Sequence, residues 1–139
     1  MKRIIHLPRE IDSRYETKVR VLYGRSSPAT DYVEIDLVFP NKHMGENGSI
    51  PRTPKEFAEL AWSCLQTGNP SIQYEGGLNN YLGVRSCDVG DVIEIYFDMG
   101  CQRFAVAPVG MKQITVEQAD ELLALPYRDR LFWFNDVTE

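Results

Sequence analysis

At 139 residues, 43% hydrophobic and 25% charged, the chain has the composition of one globular domain, 1–139, able to bury a core without metal or disulfide, which excludes global disorder. No apolar run reaches the length of a membrane span, and Met1-Lys2-Arg3-Ile4-Ile5-His6 meets Pro8 and charges too soon for a signal peptide, so a cytoplasmic protein with no membrane partner is expected. The net charge of −5 is uneven: seven basic and three acidic residues give the first 25 a net +4, leaving −9 on the rest, which suits either a local anion-binding face or solvated strand faces.

Residues 2–7 read as a short first strand stopped by Pro8. Residues 17–23 alternate polar and apolar, with Val19, Val21 and Tyr23 on one side, and 31–39 alternate again, with Val33, Ile35, Leu37 and Phe39 inward. A polar loop joins them, so an antiparallel pair with one wet face is expected. The loop from Pro40 to Pro51 is rich in Gly, Asn and Pro and carries His43, the more exposed-looking of the two histidines.

Helices are predicted over 53–67 and 115–125. In the first, Thr53 is the N-cap, Pro54 fits the first helical position and Glu56 completes a Thr-x-x-Glu capping box. Phe57, Leu60, Ala61, Cys64 and Leu65 then form one apolar face, with Trp62 at its margin and Gly68 as the stop. In the second, Thr115 and Gln118 make a capping box, and Pro126 ends the helix. Between the helices, 69–83 mixes Asn, Gly and Ser with Tyr74 and Tyr81, aromatics that beside Arg85 would suit a binding groove.

Gly90-Asp91 is a turn, Val92–Phe97 a strand, Asp98-Met99-Gly100 a tight turn and Arg103–Val109 the returning strand. The tail Tyr127–Phe134 is aromatic enough to dock, as a last strand or turn, or as a homodimer contact. The fold expected is α+β, a mostly antiparallel, barrel-like sheet with two amphipathic helices.

No phosphate loop, His-Glu-x-x-His or Gly-x-Ser-x-Gly is present. Cys64, Cys87 and Cys101 are widely spaced, with only His6 and His43 to join them, so reduced structural thiols, no metal and no cofactor are expected. The acidic pairs Glu34/Asp36 and Asp88/Asp91 read as solvated faces rather than a catalytic dyad.

Residues 85–114 resemble the YodL-like domains of small mobile-element proteins. There an Arg-Ser-x-Ser-Val-Gly-Asp-Val-Val strand precedes an aromatic strand and a Gly-Phe-x-x-Ile/Leu close. Here Arg85-Ser86-Cys87-Asp88-Val89-Gly90-Asp91-Val92-Ile93 places Cys87-Asp88 at the second small polar residue, and Met111 replaces the aromatic before Ile114. The resemblance implies a plasmid, phage or integrative-element setting and no particular reaction. The Arg85…Gly90-Asp91-Val92-Ile93 stretch is also similar to a strand of PUA and ASCH-type β-barrels, which bind RNA or modified nucleotides.

Three functions follow as expectations. The first is a binding module acting through contacts with a host or element-encoded protein. The second is a nucleic-acid-binding barrel using Arg85, Arg103, Tyr74 and Tyr81. The third is a small enzyme, for which His43, Cys87 and Asp91 are the residues to change first.

Overall fold

The computed structural model describes residues 3–6, 16–24, 33–40, 53–66, 85–97 and 100–136. These form an α+β fold. Its six strands are β1 (Arg3–His6), β2 (Glu16–Tyr23), β3 (Val33–Pro40), β4 (Val92–Phe97), β5 (Gly100–Val106) and β6 (Met111–Ile114). The helices are α1 (Pro54–Cys64), α2 (Val116–Ala124) and α3 (Tyr127–Asp136).

The strands lie in one sheet, in the order β1-β3-β2-β4-β5-β6. β1 runs parallel to β3 and every other pairing is antiparallel. Among the described residues the sheet is open, with β1 and β6 as its edges, so the expected barrel closure is not seen.

Period-2 alternation decides which side chains meet. Val19, Val21, Tyr23, Ile35, Leu37, Ile93, Ile95, Phe104 and Val106 point to one face, where they pack on Phe57, Ala58, Leu60, Ala61, Cys64 and Leu65 of α1. The opposite face was expected to be wet, and that holds only in part. Leu22, Val92, Ala105 and Ile114 form a second core under Ala119 and Leu122 of α2 and Trp133 of α3. Helices therefore cover both faces, and charge occupies only the remainder of the second one.

The helix boundaries have local causes. Thr53 Oγ1 accepts the Glu56 N–H at 3.2 Å, but the Glu56 carboxylate takes the Thr53 hydroxyl instead of closing the box on the backbone. In α2 the box is complete, with Gln118 N–H on Thr115 Oγ1 and Thr115 N–H on Gln118 Oε1. Leu65 ends α1, its N–H shared between the Ala61 and Trp62 carbonyls. Gly68, the expected stop, lies outside the described residues. Leu125 is extended, as a residue before proline must be, and separates α2 from α3.

Two expectations are corrected. The tail is a helix, neither strand nor turn, with Arg130 and Trp133 on its buried side. The strand returning from the hairpin stops at Val106, because Pro108 has no N–H to offer and the Ala107 N–H closes a turn on the Gly110 carbonyl at 3.0 Å. Gly110, at φ +73°, supplies the left-handed conformation that this turn needs, and β6 follows it.

Candidate functional site

The segment 85–91 leads into β4 and carries the first expected site residue. Cys87 N–H donates to the Leu65 carbonyl at 3.0 Å, and Gln66 Nε2 donates to the carbonyls of Trp62 (3.0 Å) and Cys87 (2.8 Å). The segment is thus stitched across the C-terminal end of α1, satisfying groups that a helix end leaves open.

At its close lies Asp91, with 0% of its surface exposed. Its Oδ1 accepts Gly24 N–H and Arg85 Nη2, both at 2.8 Å, and its Oδ2 accepts Asp88 N–H at 2.8 Å and Arg85 Nη1 at 2.7 Å. Arg85 also donates to the carbonyls of Gly24 and Ser86 and lies 4.8 Å from the Tyr23 ring centroid. Burial pushes the Asp91 carboxyl above its ordinary range, while Arg85 and the backbone donors draw it back down. Burial alone would lower Arg85; its hydrogen bonds to Asp91 and that residue's charge outweigh burial and raise it. Two acceptor oxygens receive four donors, so the pair is the anchor that fixes β2 to the 85–91 segment.

Arg130 of α3 seats against this anchor. It is fully buried, donates Nη1 to the Leu125 carbonyl at 2.8 Å and lies over the Tyr127 ring at 5.4 Å. A Cβ at Gly24 would stand 2.6 Å from its Cζ, and one at Gly90 2.7 Å from its Cβ. Burial lowers Arg130, with Asp91 opposing that shift. The Tyr127 hydroxyl donates to Asp88 Oδ2 at 2.9 Å, a second tether for the same helix.

Arg103 lies elsewhere, on the opposite face of the sheet. Register sets Asp36, Arg20, Glu94 and Arg103 directly opposite one another on β3, β2, β4 and β5, an alternating row of charge. Arg20 Nε donates to Asp36 Oδ1 at 2.8 Å, Arg103 Nε to Glu94 Oε2 at 2.6 Å and Tyr96 Oη to Glu94 Oε1 at 2.7 Å. The Arg20 guanidinium lies 5.8 Å from the Tyr96 ring centroid. Burial and the Glu94 hydrogen bond both raise the Tyr96 hydroxyl.

On the α1 side, a groove of about 390 Å³ opens between the end of α1, the 86–89 segment and the β5–β6 turn. Trp62 and Met111 are its large apolar walls, and Gln66, Ser86 and Asp88 its polar ones. Trp62 is 38% exposed, and Val109, at the tip of the turn between two lining residues, 93%.

Of the five expected site residues, Arg85 and Arg103 are described and are not brought together; each is held by its own carboxylate. Tyr74, Tyr81 and His43 lie outside the described residues. Glu34 and Asp91 were expected on solvated faces and are both buried. Cys87 is buried, and burial first, then Asp91, pushes its thiol well up, which removes the thiolate that a nucleophile needs. None of the three cysteines is in a disulfide, and among the described residues no three His, Cys, Asp or Glu side chains converge as metal ligands. No described helix is long and apolar enough to cross a membrane. Residues 106–111 gave no sequence signal of a groove, because its walls come from three separate segments. No family model, curated protein or solved structure matches the chain.

Proposed function

We propose that the protein is a binding module of a mobile genetic element that acts through protein contacts. One contrast carries this. Arg85 and Arg103, the cations that phosphate binding would use, are held by Asp91 and Glu94, whereas Trp62 and Val109 present apolar surface around an open groove. Large apolar side chains beside a concave surface are what a protein partner buries. The mobile-element setting rests on the resemblance of residues 85–114 alone.

Titration of labelled single- and double-stranded DNA and RNA over a salt series tests the proposal. The expected result is no binding at micromolar protein in low salt. Tight binding that weakens steeply with salt and is lost in Arg85→Ala/Arg103→Ala would replace it with the nucleic-acid alternative.

A further inference from the structure

The edge of β6 that no other described strand covers, with the groove beside it, is, we infer, a receptor for an extended peptide of a partner protein that carries an apolar anchor and a basic neighbour. This rests on the protein-contact proposal and specifies its partner.

Hydrogen-bond phase makes the edge available. The Ala107 N–H donates to the Gly110 carbonyl, so in this antiparallel ladder the bonded positions of β6 alternate from Gly110 to Lys112 and Ile114. Val106 provides the matching check on β5. Its N–H and carbonyl are used by Asp91 and Gly90 on the other side, both at 2.9 Å. Opposite Val106 and Phe104, the backbone groups of Met111 and Gln113 therefore point away from β5. No other strand pairs with β6 among the described residues. Two rungs of donors and acceptors thus face outward, the template on which strand addition operates.

The groove supplies the selectivity. Met111 packs toward the α1 core and lines the groove with Trp62, so every second side chain of an added strand would face that wall. Asp88 is the one charged residue among its lining. Glu59 is exposed one helical turn before Trp62 and adds a second carboxylate on α1. An apolar residue flanked by Lys or Arg at alternate positions matches that pattern of charge and shape.

The test pans the full chain against a phage-displayed library of short linear peptides, then measures enriched peptides by fluorescence anisotropy. Gln113→Pro removes one outward N–H and leaves the β5–β6 bonds in place. Enriched peptides are expected to alternate apolar and basic residues. Their affinity should fall roughly tenfold or more in Gln113→Pro and in Trp62→Ala, and hold in Gln113→Ala. If Gln113→Pro does not fold, the same loss is expected when the peptide is N-methylated at alternate backbone positions. No enrichment, helical spacing of anchors, or indifference to both the proline and N-methylation would overturn the inference. So would a dimer of the chain that Gln113→Pro dissociates, which would give the edge to a second copy. None of these failures touches the protein-contact proposal, which salt-steep nucleic-acid binding would overturn.

Discussion

The Arg130 guanidinium lies so close to the backbone of Gly24 that a Cβ there would stand 2.6 Å from its Cζ. The same side chain bars a Cβ at Gly90. One buried arginine of α3 thus fills the notch that two glycines leave beside the Arg85–Asp91 pair.

Gly24→Ala should cost about 2 kcal/mol by overpacking, and much of that should be recovered in an Arg130→Ala background, where the clashing guanidinium is gone. Gly90→Ala should not be rescued, for two reasons. Alanine keeps the Cβ that it meets, and φ at Gly90 is +89°. Urea midpoints for the two double-mutant cycles check this. Equal coupling at both glycines would contradict the packing described.

Asp91→Asn should destabilise by roughly 3 kcal/mol, since each carboxylate oxygen accepts two donors and an amide nitrogen at either position would face both. Asp88→Asn is the control, its carboxylate taking, among the described residues, Val89 N–H and the Tyr127 hydroxyl at a half-buried site. Similar losses for the two variants would mean that Asp91 is not the anchor.

Tyr23 is 2% exposed and its hydroxyl has no hydrogen-bond partner among the described residues. Tyr23→Phe should therefore stabilise the fold by about 1 kcal/mol while keeping the ring under Arg85. Burial also raises the Tyr23 hydroxyl above its ordinary 10.0 and the Cys87 thiol above 9.0. Above those values the unfolded chain releases protons that the folded chain retains. The stability these groups contribute is intact below the ordinary values and is lost as pH rises through the folded ones. Thermal melts should fall with rising alkalinity, and less steeply in Tyr23→Phe. Identical slopes would show that Tyr23 does not govern the loss.

Elements with a strong local period were legible in the sequence. Thr53 and Thr115 mark two helix starts, and Val19-Arg20-Val21 with Ile35-Asp36-Leu37 mark the paired strands. Helix α3 was not legible, because Leu131-Phe132-Trp133-Phe134 is apolar all round and its buried face includes a charge, Arg130. β6 was missed for its four-residue length. Arg85 was recognised as notable and its role was not. Asp91 reads locally as a turn former, and only the approach of Gly24 from β2 shows it to be the centre of a buried node.

Arg103→Ala should cost about 2 kcal/mol, less than Asp91→Asn, since Glu94 is buried but keeps the Tyr96 hydroxyl and Arg103 itself is only half-buried. A loss near that of Asp91→Asn would show that the charged row carries structural weight comparable to the buried anchor.

The central claim, that the surface around Trp62 and Val109 meets another protein, is tested most directly by a photo-crosslinking residue in place of Val109, with one in place of exposed Lys18 on the opposite face as control. In cells, the Val109 position should give a discrete adduct that protease removes and nuclease does not, lost on Trp62→Ala and absent from the Lys18 position. Nuclease-sensitive adducts, or equal labelling from both positions, would contradict the account.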